Sequence, residues 1–195
     1  IYTEEHDGFR DMIRRFIADE IAPNYEQWEQ QGCVPRELYV KAGEMGLLCP
    51  AVDEQYGGSG ADFLYSCVLN EELYYGAFSS VFFPLHNDIC APYISELGTE
   101  QQKKQWLPGA VSGETILALA MTEPNRGSDI AHLQMKAEKK GDHYLLNGSK
   151  TFISNGQLAD LVIVAARTNP EASKPHQGIS LFVVDAKSEG FSRGQ

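Results

Sequence analysis

The sequence predicts an α+β fold, a block of helices followed by a block of strands. Three observations carry this. In the first half, apolar residues recur at helical spacing. After Glu114 they gather in short runs rich in branched residues, punctuated by Gly, Asn, Pro and Asp. The two patterns do not alternate, which argues for separate α and β domains rather than interleaved βαβ units. The boundaries read as a helical domain over 1–113 and an antiparallel β domain over 114–195.

The helical elements follow in order. Phe9, Ile13, Phe16, Ile17 and Ile21 recur on one face of a first helix, with Arg10, Arg14 and Asp19 elsewhere around it. Thr3 is its expected N-cap, with acids just inside. Pro23 should bend or end it. A second helix fits Pro35 to Glu44, with Gly46 near its stop. The stretch Tyr56-Gly57-Gly58-Ser59-Gly60 reads as a loop. A third helix runs from about Asp62 to Tyr75, and a fourth from about Val81 to Leu97 despite Pro84 and Pro92. Thr99 and Gln102 have capping-box spacing and open a short helix that Pro108 closes.

The strand-like segments are Thr115 to Met121, Tyr144 to Leu146, Thr151 to Ile153, Leu161 to Ala166 and Ile179 to Val184. Asn147-Gly148 is the expected turn between the second and third.

Composition excludes some functions. Sixteen basic and 27 acidic residues give a net charge of −11. That argues against a nucleic-acid or anionic-membrane binder, which would want a basic face. An anionic ligand stays possible, because backbone amides hold phosphate whatever the global charge. No apolar run is long enough to cross a bilayer. Cys33, Cys49, Cys67 and Cys90 lie far apart within apolar helical patterns, as buried free thiols would. No Cys/His spacing suggests zinc, so no metal site is expected.

Three glycine-bearing clusters can carry chemistry. Tyr56–Gly60 lacks a Walker ending and reads as a tight turn between helices. Met121-Thr122-Glu123-Pro124-Asn125-Arg126-Gly127-Ser128-Asp129 follows directly on an apolar strand. It is either a turn with a Pro stop and an Asp cap, or a loop of hydroxyls and amides for a polar or phosphorylated ligand. Asn147-Gly148-Ser149-Lys150-Thr151-Phe152-Ile153-Ser154-Asn155-Gly156 is two turns bracketing a short strand. Alternation puts Phe152 and Ser154 on one face. That face is either a core hairpin or a seat for a flat heterocycle, stacked on the ring and bonded to the hydroxyl.

Taken together, the second and third clusters resemble the acyl-CoA dehydrogenase family. The resemblance extends to Gly46-Leu47-Leu48, the Tyr56–Gly60 loop and Leu97-Gly98-Thr99-Glu100-Gln101-Gln102-Lys103, and so spans essentially the whole chain. The third cluster and Gly178-Ile179-Ser180-Leu181-Phe182-Val183-Val184 are most similar to the long-chain members.

The resemblance implies an FAD-dependent oxidoreductase that dehydrogenates the α,β bond of an acyl-CoA thioester, as in fatty-acid β-oxidation. It implies a barrel-like β domain after the helical one, with the family's C-terminal helical domain absent from this chain. Met121 and Thr122 would meet the flavin's pyrimidine edge. Gly127 and Ser128 would lie near the pyrophosphate and the acyl-CoA. Phe152 would pack on the isoalloxazine, with Ser154 near its reactive nitrogen. Val81, Leu85, His86 and Ile89 recur on one helical face, either lining the acyl pocket or packing in the core. A His on such a face is more usually a hydrogen-bonded core residue than a catalyst.

The family's base is a glutamate of the C-terminal domain, so the catalytic residue is expected outside these residues. Glu123 sits on the flavin-side loop and reads as a structural carboxylate instead. Two departures stand out: Phe152 and Ser154 replace a common Trp and Thr, and Asn125-Arg126 replaces a common Gly-Ala. Arg126 is either a solvent-facing substitution or a contact to CoA. Further implied partners are an electron-transferring flavoprotein and copies of the chain itself in a homotetramer. A different reading is a non-catalytic flavin- or acyl-CoA-binding scaffold that keeps the family's shell. Ile1 to Glu5 resemble neither a signal nor a transit peptide, which points to a bacterial cytoplasm, with the mitochondrial matrix as the alternative.

Overall fold

A computed structural model describes residues 1–194. The chain divides into two compact units, Ile1–Ile116 and a second that begins at Leu117.

The first unit is helical. Helix α1, Glu4–Phe16, starts where the Thr3 backbone N–H donates to His6 Nδ1 at 3.1 Å, and Glu4, Glu5 and Asp7 fill its first turn. It continues into a π-helical turn, Ile17–Ile21. The wider turn brings residues five apart onto one face. Phe16 and Ile21 are therefore both buried while Ile17 is only half-buried, a departure from the regular stripe that the sequence suggests. Helix α2, Tyr25–Gln31, buries no residue, so it carries no apolar stripe to betray it. Helix α3, Arg36–Glu44, follows Pro35 and buries Leu38, Tyr39 and Ala42.

Helix α4, Phe63–Tyr75, is capped by Asp62, whose carboxylate accepts from the Leu64 N–H at 2.8 Å. It packs on α1 through charge as well as apolar contact. Buried Glu72 accepts from Arg10 at 2.7 Å and from Arg14 at 2.8 Å. The expected single helix from Val81 to Leu97 is instead a π-helical turn, Leu85–Cys90, joined to α5, Ala91–Leu97. Val81 precedes both, so the even helical face expected through Ile89 does not form.

Helix α6, Glu100–Ser112, runs through Pro108 rather than stopping there. The proline removes one donor, but both ends of the helix are well held. Thr99 N–H donates to Gln102 Oε1 at 2.8 Å at the start, and Gly113 takes φ 77° at the end. A Cβ on Gly113 would lie 2.1 Å from the Tyr39 carbonyl oxygen, so the close approach of α3 to this cap requires glycine.

The second unit is a five-stranded mixed sheet, open rather than closed. The strands are β1 Leu117–Ala120, β2 Lys136–Lys140, β3 His143–Asn147, β4 Leu161–Arg167 and β5 Ile179–Asp185. β4 is central. Its first six residues are all buried, as suits a strand covered on both faces. β5 pairs along its whole length antiparallel, Leu161 opposite Asp185 and Arg167 opposite Ile179. On the other edge β1 pairs in parallel from Leu117↔Leu161 to Ala120↔Val164, and β2 takes over at Lys136↔Arg167. The pairing is thus not purely antiparallel, although the α+β organisation is as expected.

Two local expectations fail. The hairpin forms between β2 and β3 around Gly141-Asp142, not around Asn147-Gly148. Thr151 to Ile153 is a loop, because Phe152 takes φ 55° and leaves the extended region. Alternation therefore cannot place Phe152 and Ser154 together. One side of the sheet builds its core from Ala118, Ala120, Val162 and Val164, with Ile153 and Phe191 packed against it.

Among the described residues, no helix is long and apolar enough to cross a membrane, and no three acidic, His or Cys residues gather as a metal site would require. All four cysteines are free; Cys49 and Cys90 are buried, whereas Cys33 is exposed.

Candidate functional site

The site in the second unit grows out of the point where the β4 edge changes partner. β1 ends at Ala120 and the chain leaves the sheet until β2 begins at Lys136. The departing segment carries Met121 and Thr122, both half-buried at the strand end. Glu123 and Arg126 then close a tight turn through two backbone bonds, Glu123 N–H to Arg126 O at 2.8 Å and Arg126 N–H to Glu123 O at 3.1 Å. Beyond the turn, Gly127 and Ser128 are exposed, and no atom lies within 4 Å of where a Gly127 Cβ would stand. That leaves open backbone for a bulky anion to approach.

Arg126 is half-buried and turned onto its own loop. Its Nε donates to the His132 carbonyl at 3.3 Å and its Nη1 to the Asn125 carbonyl at 3.1 Å. It acts as a clasp across the loop, which neither sequence reading of Arg126 anticipated.

Beneath the loop lies a buried ion pair. Glu123 is 4% exposed. Its Oε2 accepts from the Gln134 N–H at 2.6 Å, and its Oε1 from the Met135 N–H at 2.8 Å and from Lys150 Nζ at 3.0 Å. Burial alone would raise this carboxyl's pKa, but the two amides and the ammonium outweigh it and hold the group below the usual range. Lys150 also donates to the Met121 carbonyl at 2.9 Å, and the Thr151 N–H to the Thr122 carbonyl at 2.9 Å. The second and third sequence clusters are thereby bonded to each other. Both oxygens of Glu123 are engaged and its charge is stabilised, so it is a poor proton acceptor.

The third cluster presents Phe152. Its residue surface is 92% exposed, and its backbone sits at φ 55°, a conformation costly for any residue with a Cβ. Neighbouring bonds hold it there. Thr151 is tied to Thr122, and Asn155, itself at φ 63° and buried, donates from Nδ2 to the Leu117 carbonyl at 3.1 Å. A strained backbone that displays an aromatic ring to solvent suits a stacking platform. Ser154 is half-buried two residues on. The residues therefore fit a flat, negatively charged ligand: an aromatic plane at Phe152, hydroxyls at Thr122, Ser128 and Ser154, and open amide backbone at Gly127. Sequence reasoning assigned no role to Lys150 or Asn155. Both stood inside the quoted motif, but nothing local announced their long-range partners.

A cavity of about 360 Å³ lies beside these segments, bounded by Pro124, Asn125, Met135, Gly148 and Ser149. It takes in none of Met121, Thr122, Phe152 or Ser154, so it is not where the stacking face lies.

In the helical unit the four candidate pocket residues separate. Val81 is 2% exposed and His86 fully buried, while Leu85 is half-buried and Ile89 is 44% exposed. His86 Nε2 is 2.9 Å from the Ala110 carbonyl, and its ring meets Tyr39 edge-on at 5.7 Å. Burial pushes its pKa down to about 4, so it is neutral at pH 7.

Comparison with known proteins follows the same division. The acyl-CoA dehydrogenase N-terminal domain matches residues 3–114, and the acyl-CoA dehydrogenase middle domain matches residues 118–195. The mitochondrial long-chain specific acyl-CoA dehydrogenase of Rattus norvegicus is 46% identical over 195 residues, covering 100% of this chain and 45% of that protein. The chain thus spans about half the length of the curated relatives it matches. The crystal structure of acyl-CoA dehydrogenase from Geobacillus kaustophilus superposes with a TM-score of 0.97 at 53% identity, covering 100% of this chain and 51% of that one. A glutaryl-CoA dehydrogenase from Mycobacterium smegmatis in complex with FADH2 gives a TM-score of 0.88 at 30% identity, covering 98% and 48%.

Proposed function

This chain belongs to the acyl-CoA dehydrogenase family, and on that premise we propose that it forms the flavin-binding half of an FAD-dependent acyl-CoA dehydrogenase. The observation that carries the reading is Phe152, an exposed ring fixed in a strained backbone between the Glu123–Lys150 pair and Asn155. When bound, FAD supplies a hydride acceptor for the β-hydrogen of the acyl chain.

The chain's own residues bind and orient. Phe152 offers one face for stacking. The Met121–Thr122 backbone and the Thr122 hydroxyl offer donors to the pyrimidine edge, where negative charge develops on reduction. Gly127 and Ser128 offer amides and a hydroxyl to the pyrophosphate and to the acyl-CoA. Ser154 holds a hydroxyl near the reacting edge. In the helical unit, Leu85 and Ile89 present accessible apolar surface to an acyl chain, while Val81 and His86 are buried. Glu123 is not suited to take the α-proton, since both its oxygens are already engaged by donors. We assign that step to a glutamate outside these residues.

The substrate class we favour is long-chain acyl-CoA, within fatty-acid β-oxidation, and the similarity to the rat long-chain enzyme supports it. The electron acceptor is an electron-transferring flavoprotein and the working assembly a homotetramer. A bacterial cytoplasm is the compartment we assign, supported by 53% identity to the Geobacillus protein, with the mitochondrial matrix as the second reading. The test is a chain-length series of acyl-CoAs with an artificial electron acceptor, run on the full-length gene product. Turnover should rise from short to long chains; equal rates for both would refute the long-chain assignment.

A further inference from the structure

We infer that Lys150 is a positioning residue for the flavin-facing backbone, and that its charge raises the electron affinity of a flavin held there. The inference rests on the reading of Met121 and Thr122 as the backbone that meets the flavin.

The geometry begins with a peptide plane. In a trans peptide the C=O and the following N–H point to opposite sides. Lys150 Nζ holds the Met121 carbonyl at 2.9 Å. The Thr122 N–H of the same peptide must therefore point away from Lys150. The next peptide is fixed too: its carbonyl takes the Thr151 N–H at 2.9 Å, and the Glu123 N–H takes the Arg126 carbonyl at 2.8 Å. The Thr122 N–H is thus the donor left aimed at the ligand side, and its direction is set from behind.

The ammonium does more than hold. A cation on a carbonyl oxygen polarises the whole peptide and strengthens the N–H at its other end. The Lys150 side chain is only 8% exposed, so water screens this little. It cannot swing away, because Glu123 grips it at 3.0 Å and is itself gripped by the Gln134 and Met135 amides. A fixed positive charge one peptide behind the ligand favours a ligand that gains negative charge. Reduction of the flavin is such a gain.

The test uses the full-length gene product with FAD as the probe, as wild type, Lys150→Met and the double variant Lys150→Met/Glu123→Gln. Three quantities are read: the FAD dissociation constant by flavin fluorescence, the midpoint potential against a reference dye, and the melting temperature of the FAD-free protein. Lys150→Met should bind FAD roughly tenfold more weakly, because the Thr122 N–H loses its fixed direction and its polarisation and so about one hydrogen bond to the ligand, and hold it at a more negative potential. The double variant leaves no buried charge unpaired. It decides the matter if Lys150→Met fails to fold, and it should show a fall in potential in the same direction but smaller, because the carboxylate beside the lost ammonium is gone as well. Wild-type potential in a folded Lys150 variant, even one with a lower melting temperature, would overturn the inference and leave a structural pair. A wild type that binds no FAD would overturn the reading of Met121 and Thr122 itself.

Discussion

Replacing Phe152 with glycine should make the FAD-free protein slightly more stable and the FAD complex weaker. The ring is 92% exposed, so its loss removes almost no buried surface. The backbone at φ 55° costs a residue with a Cβ about 1–2 kcal/mol, which glycine does not incur. Glycine in turn loses about 0.5–1 kcal/mol through its freer unfolded chain. The balance is a gain of up to about 1.5 kcal/mol, or up to about 6 °C in melting temperature for a chain of this size and less for the longer full-length product. Against FAD, the lost stacking face is worth about 1–3 kcal/mol. That is about a 5- to 150-fold rise in the dissociation constant. Thermal unfolding without FAD and fluorescence titration with FAD, both on the full-length gene product, read the two effects separately. Phe152→Ala keeps the strained backbone, so it should lose affinity without gaining stability. A large fall in melting temperature for Phe152→Gly would mean that the ring is packed. Unchanged affinity would mean that it is no platform.

Three further outcomes follow from other parts of the chain. His86 is held near pKa 4 by burial against 6.5 in the unfolded chain, so the unfolded state takes up the proton first. Its contribution is complete above pH 6.5 and is lost as pH falls towards 4, by about 3 kcal/mol in all. Melting curves from pH 7 to 5 should be flatter for His86→Gln; equal slopes would remove His86 as the cause. Glu123 is held below its unfolded value of 4.5, so its contribution is present above pH 4.5 and lost as pH falls through the folded value. Acid release of FAD should accordingly be less steep in Glu123→Gln, as a stopped pH titration of flavin fluorescence can check. Gly113→Ala forces a Cβ to 2.1 Å from the Tyr39 carbonyl at φ 77° and should cost at least about 2 kcal/mol, seen as a lower urea midpoint with an unchanged slope.

The parts of the fold legible in the sequence are those where apolar residues form a helical stripe or a continuous run. Helices α1, α3 and α4, and strands β4 and β5, show their apolar pattern directly. Helix α2 buries nothing, and β2, read as Lys-Ala-Glu-Lys-Lys, buries only Ala137, so neither leaves a pattern to find. The two π-helical turns shift the spacing of inward residues, which is why Ile17 and Ile89 fall out of the stripes drawn through them. Thr151 to Ile153 has strand composition, yet tertiary bonds at Thr151 and Asn155 force Phe152 left-handed.

The candidate site was legible mainly as motif. Glu123 and Lys150 stand 27 residues apart, and no local rule joins them. Only the fold joins the two glycine-bearing clusters, with Lys150 on the Met121 carbonyl and the Thr151 N–H on the Thr122 carbonyl. In the sequence, Glu123 reads as a structural carboxylate only because it sits on the flavin-side loop. Its three donors now give that reading a physical cause.

The most direct test of the central claim is the visible spectrum of the purified full-length gene product during titration with a long-chain acyl-CoA. The account predicts a yellow protein whose flavin bands bleach as the acyl-CoA is added. A colourless protein that gains no flavin bands from added FAD and shows no bleaching with any acyl-CoA would contradict it.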